Sequence, residues 1–159
     1  MEGIENRLLF SGLPLSLKDG KLVFGEGMKK TEPSARLFGD LLPVFMQKPQ
    51  EPSKIAYLMY RGVCLEKDGK KIEENNLRYD ITVIPPAIIG GEFVKTFGHS
   101  HPLANGGNLE FPEVYEVISG KAHFVLQFES EFVVFEAFAG EKVLICPGAT
   151  HVTINPSDE

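Results

Sequence analysis

Two histidines separated by a single residue, His99 and His101, are the first sign of chemistry in this sequence. Side chains alternate across a β-strand, so two imidazoles at this spacing project from one face and can share one ion. A lone His-x-His pair would equally suit a surface turn. Here Glu113 follows, and His151 comes after a strand-like run and a proline turn. Three imidazoles and one carboxylate suit a divalent first-row transition metal with positions open for a ligand. The pattern therefore predicts a metal site.

The elements that must position these residues read as β-strands. The chain contains 16 glycines and 11 prolines, which separate short runs rich in Val, Ile, Phe and Tyr. The predicted strands are Lys21–Phe24, Ile55–Leu65, Tyr79–Ile84, Phe93–Phe97, Val114–Ile118, His123–Phe128, Phe132–Phe138 and Lys142–Cys146. Short strands at this spacing are typical of a sandwich or a barrel, so we expect an all-β fold.

One stretch near the N-terminus has a helical period instead. Apolar residues recur at helical spacing between Leu37 and Met46, after a helix start at Thr31-Glu32-Pro33, and Pro43 should keep the helix short. We therefore predict one domain, with an extension of strands and one short helix over residues 1–50 and a β-barrel over residues 51–159.

Composition excludes several classes of function. A formal charge of −6 on 159 residues argues against a nucleic-acid binder, which needs clustered Lys and Arg. No apolar run approaches the ~20 residues that span a bilayer, and the acidic start of the chain does not fit a secretory signal. The two cysteines, Cys64 and Cys146, have no metal or redox spacing, and we expect both to be buried thiols. These features predict a cytoplasmic protein without a membrane or nucleic-acid partner.

The motif residues resemble those of the cupins, whose fold is a double-stranded β-helix or jelly-roll barrel. The first cupin motif corresponds here to Gly91 or Gly98, His99, His101, Glu113 and Gly120. The second corresponds to Gly140, Pro147, His151 and Asn155. Glu110 and Glu116 compete for the carboxylate position, but only Glu113 lies seven residues before the turn glycine Gly120.

The sequence around the motifs is similar to that of one cupin family, the cupin-type glucose-6-phosphate isomerases of archaea and some bacteria. The similar segments run from Thr82 to Pro86, from Lys95 to His101 and from Pro112 to Lys121. The likeness extends from about Ile55 to Asn155 and, more faintly, through Ser34–Leu42.

This resemblance implies a homodimeric aldose-ketose isomerase of glycolysis and gluconeogenesis that interconverts glucose 6-phosphate and fructose 6-phosphate. It implies a divalent metal, iron(II) in the first place with manganese, nickel or zinc as alternatives. It also assigns roles residue by residue: His99, His101, Glu113 and His151 as metal ligands, Glu113 as the catalytic base, and Tyr57, Thr82, Thr96 and Gly98 as contacts of the substrate and its phosphate.

Two questions remain open at the level of the sequence. A carboxylate held by a cation is a poor base, and a hydride shift would need no base, so both roles of Glu113 stay open. In a regular strand Thr96 and Gly98 point away from His99 and His101, so both sets serve one pocket only if the chain bulges near Gly98.

The cupin motifs also admit two rival functions. A cupin-type non-heme iron dioxygenase would use the same ligands with an apolar pocket, in which Thr82 and Thr96 would not face the metal. A non-catalytic sugar-binding cupin would show no turnover even with metal supplied.

Overall fold

The computed structural model describes residues 6–104 and 106–157, and most of its regular elements are short antiparallel strands. The strands are β1 (Asn6–Arg7), β2 (Leu15–Lys18), β3 (Lys21–Phe24), β4 (Ser34–Leu37), β5 (Ile55–Tyr60), β6 (Ile81–Val83), β7 (Ile88–Ile89), β8 (Glu92–Phe93), β9 (Glu113–Glu116), β10 (Lys121–Phe128), β11 (Glu131–Phe138), β12 (Lys142–Ile145) and β13 (Thr150–Ile154). The helical elements are α1 (Gly69–Glu74) and 3₁₀ turns at Leu9–Ser11, Phe38–Val44 and Glu66–Asp68. This content confirms the predicted all-β, cupin-like class.

The N-terminal half contains two three-stranded sheets and a small hairpin. The sheets have the orders β1-β2-β3 and β4-β5-β6, and β7 pairs with β8. A core that includes Leu15, Leu22, Leu58 and Tyr60 packs between the two sheets. Strand β4 lies before residue 50 and pairs with β5 after it, so the predicted extension and barrel share a sheet; their division into two parts stays a prediction.

The predicted N-terminal helix is wrong in type and in start. Residues 31–33 are not helical, Ser34–Leu37 is the strand β4, and only Phe38–Val44 coils, as a 3₁₀ helix. Pro43 inside this turn has no amide hydrogen to donate, which keeps the coil short. Phe38 and Leu41 are nevertheless buried, whereas Leu42 and Met46, which belong to the same apolar pattern, are exposed.

The C-terminal half carries two further sheets. Their orders are β11-β10-β13 and β12-β9, and they enclose a core that includes Val117, Phe124, Leu126 and Ile145. Strand β13 is not among the strands predicted from the sequence, in which Thr150–Ile154 follows the proline turn of the second motif. This strand carries His151, so the missed element is one that builds the site.

The expectation that both cysteines are buried is correct for one of them. Cys64 is buried as expected, but Cys146 is exposed, because it follows β12 on the outward side. No helix among the described residues is long and apolar enough to cross a membrane.

Candidate active site

The backbone brings His99 and His151 directly opposite each other. The amide of His151 donates to the carbonyl of His99 at 3.0 Å, and the amide of His99 donates back at 3.3 Å. Their ring centroids lie 4.4 Å apart, and the ring of His101 lies 5.7 Å from His99 and 5.1 Å from His151. One nitrogen from each of the three rings falls within 4.8 Å of the others. This spacing is compatible with three nitrogens around one ion.

Glu113, the first residue of β9, brings its carboxylate to the same point. Its Oε2 lies 3.0 Å from His101 Nε2 and 3.4 Å from His151 Nε2. The two competing carboxylates lie elsewhere: Glu110 accepts a hydrogen bond from the Gly148 amide, and Glu116 forms an ion pair with Lys142. Glu113 is therefore the carboxylate that completes the group, hereafter the histidine–glutamate cluster (His99, His101, His151 and Glu113).

Backbone carbonyls orient two of the imidazoles. Nδ1 of His99 lies 3.2 Å from the carbonyl oxygen of Phe97, and Nδ1 of His101 lies 2.8 Å from that of Phe111. A carbonyl only accepts, so each Nδ1 carries the hydrogen and each Nε2 keeps its lone pair. Histidines that hold metals are commonly fixed in this way by their second nitrogen.

Two buried polar atoms of the cluster have no hydrogen-bond partner in the described part of the chain. They are Oε2 of Glu113 and Nδ1 of His151, although His151 is almost fully buried. Burying polar atoms without a partner costs free energy, and native proteins rarely leave them so. A cation between the three rings and the carboxylate would offset the burial of the carboxylate oxygen, so the residues present fit a divalent metal.

The electrostatics of the cluster favour the protonation states that a metal needs. Partial burial lowers the pKa of His99, and the nearby His151 and His101 lower it further, so its imidazole is neutral at pH 7. Burial alone would raise the pKa of Glu113, but the close approach of His151 and the favourable electrostatic interaction with the three imidazoles outweigh it and lower that pKa. Glu113 is therefore ionised at neutral pH.

A register shift lies between the predicted substrate contact Thr96 and the histidine–glutamate cluster. Lys95 lies opposite Ile154, and His99 lies opposite His151. Four steps on one chain (95 to 99) thus match three on the other (154 to 151), which is a β-bulge. Within it Gly98 packs so closely on Val152 that an added Cβ would lie 3.1 Å from Val152 Cγ2. The bulge that the sequence required near Gly98 is present.

Beside the cluster lies a cavity of about 380 Å³, hereafter the site cavity. Its walls include His99 and three of the predicted substrate contacts, Tyr57, Thr82 and Thr96. Gly98, the fourth predicted contact, lies in the bulge, and the described residues that line the cavity do not include it. The structure thus places three of these four residues around the same cavity as His99, one of the predicted metal ligands.

Two hydroxyl groups in this cavity are arranged as donors. The Tyr57 oxygen accepts a hydrogen bond from the Phe97 amide at 3.2 Å, and Thr96 Oγ1 accepts one from the Thr153 amide at 3.0 Å. Because a backbone amide already uses each oxygen as an acceptor, each hydroxyl hydrogen is available for a ligand.

Three residues of the cavity wall with polar or charged side chains were not predicted as part of a site: Tyr115, Arg36 and Arg61. The hydroxyl of Tyr115 lies 3.3 Å from His151 Nε2. Burial, and then the charge of Glu113, raise the pKa of Tyr115 well above its usual value, so the hydroxyl stays protonated. Its position two residues after Glu113 on one strand is the signal that could have found it. The arginines carry no such signal, because only pairing of distant strands brings them here.

The strand-rich fold and the histidine–glutamate cluster define the class: a cupin-like β protein whose clustered side chains could hold a metal ion. The family model for glucose-6-phosphate isomerase matches residues 36–159. The chain therefore belongs to the glucose-6-phosphate isomerase family.

Individual relatives agree with this membership. A glucose-6-phosphate isomerase of Thermococcus litoralis is 29% identical over 147 residues, covering 87% of this chain and 72% of the relative. One of Pyrococcus furiosus is 29% identical over 140 residues (84% and 67%), and one of Thermococcus kodakarensis is 29% identical over 151 residues (93% and 72%). The comparisons confirm the predicted family and, with it, the prediction that the chain is an isomerase.

Proposed function

We propose that this chain interconverts glucose 6-phosphate and fructose 6-phosphate in a metal-dependent reaction centred on the histidine–glutamate cluster. The observation that carries the proposal is the convergence of Glu113 Oε2 on two imidazole nitrogens, at 3.0 and 3.4 Å, without a hydrogen-bond partner among the residues that the structure describes. Three imidazoles and one carboxylate form a donor set for iron(II), with manganese, nickel or zinc as alternatives.

The bound ion would supply Lewis-acid stabilisation of the negative charge that develops on the sugar oxygens. His99, His101 and His151 would hold it, with the first two rings oriented by their backbone carbonyls. Glu113 Oε2 would complete the set.

Proton transfer is assigned to Glu113. Isomerisation of the open-chain aldose removes the proton on C2 and returns one to C1, while a proton moves from O2 to O1. The lowered pKa of Glu113 keeps its carboxylate ionised, and Oε2 faces the imidazoles, which leaves Oε1 to accept the carbon-bound proton and return it. Tyr115, with its raised pKa, stays protonated and donates a hydrogen bond to a sugar oxygen.

The other end of the sugar is assigned to the hydroxyl donors. Tyr57 and Thr96 each offer a hydrogen to the site cavity, and Thr82 adds a third hydroxyl to its wall. The amide of Gly98 would serve the same phosphate, as backbone amides commonly do. Such a wall favours a phosphorylated sugar over the apolar substrate of a dioxygenase, which is the rival enzyme function.

A second copy of the chain is the proposed macromolecular partner, as the family resemblance implies. Strand β11 forms the open edge of its sheet, and Phe132 and Val134 on this strand are about two-thirds exposed. An unpaired apolar edge is a ready surface for a second sheet. The cytoplasmic location remains a prediction from the sequence.

A coupled assay tests the proposed function. Fructose 6-phosphate is supplied to chelator-treated protein, to the same protein after addition of Fe²⁺, Mn²⁺ or Ni²⁺, and to a His151→Gln variant. We expect turnover only in the metal-loaded wild type. Full activity of protein shown by elemental analysis to be metal-free would refute the metal-dependent reaction, and no turnover with any metal would leave the non-catalytic sugar-binding cupin.

A further inference from the structure

Two arginines reach the site cavity from neighbouring strands. Arg36 on β4 lies opposite Tyr57 on β5 in the antiparallel register, and Arg61 directly follows the end of β5. Tyr57 and Arg61 are four residues apart, which puts both on one face of an extended chain. Both guanidinium groups therefore share the face that carries the Tyr57 hydroxyl, and both line the cavity.

Neither arginine has a carboxylate partner in the part of the chain that the structure describes. Arg61 donates from Nη1 to Ser34 Oγ at 2.9 Å and from Nη2 to Met59 Sδ at 3.5 Å, two neutral acceptors. Nε of Arg36 is buried without a hydrogen-bond partner. By contrast, Arg78 forms a close ion pair with Asp80 at 2.9 Å.

A shortage of acidic residues does not explain these two uncompensated charges. Asp and Glu number 22 against 16 Lys and Arg, so acidic partners are plentiful in the chain. Holding a partly buried guanidinium such as that of Arg36 with an unsatisfied N–H costs free energy unless an anion completes it. Arginine presents a planar fork of donors that matches the oxygens of a phosphate.

We propose that Arg36 and Arg61, together with the Tyr57 and Thr96 hydroxyls, form the subsite that binds the phosphate of the sugar substrate. The inference rests on the proposed function, since it assigns the substrate's anionic end to the wall of the same cavity. His99, one of the predicted metal ligands, lines the same cavity as both arginines.

The test combines kinetics with phosphate binding in the absence of turnover. Arg36→Gln, Arg61→Gln and the double variant are assayed for fructose 6-phosphate isomerisation, and inorganic phosphate is titrated into each by calorimetry. Loss of a charge-assisted hydrogen bond corresponds to a factor of roughly 10 to 100 in binding. We expect the KM for fructose 6-phosphate and the Kd for phosphate to rise by about that factor, with kcat changed less than about threefold because phosphate binding is uniform.

The matched control is Arg78→Gln, which removes the same type of charge outside the cavity wall. Asp80, the partner of Arg78, also accepts a hydrogen bond from the Gly62 amide, so this variant reports any general disturbance beside Arg61. We expect its KM and Kd to stay at the wild-type values. Arg36→Lys, which keeps the charge but loses the fork, should recover part of the phosphate affinity, and circular dichroism checks the fold of every variant.

The outcomes separate the two proposals. If the folded double variant keeps wild-type KM and wild-type phosphate affinity, the arginines are not the phosphate subsite, whatever the activity of the wild type. If wild-type protein binds phosphate through these arginines but turns over no hexose phosphate with any metal, the subsite stands and the proposed isomerisation fails.

Discussion

At the scale of the residue, the site depends on how few hydrogen bonds its buried groups make with one another. His99 and His101 direct Nδ1 to backbone carbonyls, so Nε2 is left with a lone pair, and Glu113 Oε2 faces imidazoles without a donated hydrogen. The grouping of the three histidines could be predicted from their types and spacing, whereas the choice of Glu113 over Glu110 and Glu116 needed the cupin motif. The carbonyls that orient the rings could not, because their positions depend on loop geometry.

Replacing Glu113 by Gln tests its part in proton transfer. An amide cannot accept the C2 proton and is a weaker ligand, so we expect kcat for fructose 6-phosphate to fall by about 10²–10⁴-fold. The control is Tyr60→Phe, which removes a buried hydroxyl that accepts a hydrogen bond from the Leu22 amide at 3.2 Å, away from the site. That variant should lose roughly 1 kcal/mol of stability with little change in kcat. Equal rates for the two variants would remove Glu113 from the reaction.

At the scale of the element, the bulge between Lys95 and His99 is what lets one chain segment serve both ends of the site. Without it Thr96 and His99 would lie on opposite faces of a strand, whereas both line the site cavity. The need for a bulge could be predicted because side chains alternate between the two faces of a strand. The glycine at position 98 indicated where the bulge would lie. The type of the Phe38–Val44 turn did not follow, because apolar spacing of three to four residues fits a 3₁₀ coil as well as an α-helix.

Gly98→Ala tests the bulge. An added Cβ would lie 3.1 Å from Val152 Cγ2, so the segment must shift, and we expect a loss of about 1–3 kcal/mol in the free energy of unfolding with weaker metal binding. Val152→Ala removes the clashing methyl groups, so Gly98→Ala should cost clearly less in that background than in the wild type. Chemical denaturation of the wild type, the two single variants and the double variant gives the cost of Gly98→Ala in each background. An equal cost in both backgrounds would show that the Gly98–Val152 contact does not hold the bulge.

At the scale of the whole molecule, the chain combines a net charge of −6 with a site for an anionic substrate. The net charge of the whole chain does not determine the charge inside the site cavity, because Arg36 and Arg61 both line that cavity although they are distant in the sequence. Composition argues against a nucleic-acid binder but does not indicate where a phosphate would bind. The strand-rich class could be predicted because glycines and prolines separate short apolar runs. The pairing of β4 with β5 across the expected boundary at residue 50 could not.

The proposed homodimer is testable at the open edge of β11. Val134→Lys adds a charge to an exposed apolar position of this edge, so we expect it to shift the protein from dimer to monomer in analytical ultracentrifugation. Leu77→Lys is the control, because Leu77 is equally exposed (66% against 65%) but lies outside the sheets. A wild-type monomer, or a Val134→Lys protein that stays dimeric, would contradict this interface.

The central claim is that four side chains from separate parts of the chain hold one cation. Calorimetric titration of metal-free protein with Mn²⁺ under anaerobic conditions tests it most directly, with His151→Gln as the site variant and His123→Gln as the control. His123 is the remaining histidine and pairs with Glu136 on the sheet surface at 2.8 Å. We predict one ion per chain in the wild type and in His123→Gln, and binding at least roughly tenfold weaker in His151→Gln. No binding by the wild type, or equal affinity in all three proteins, would contradict the account.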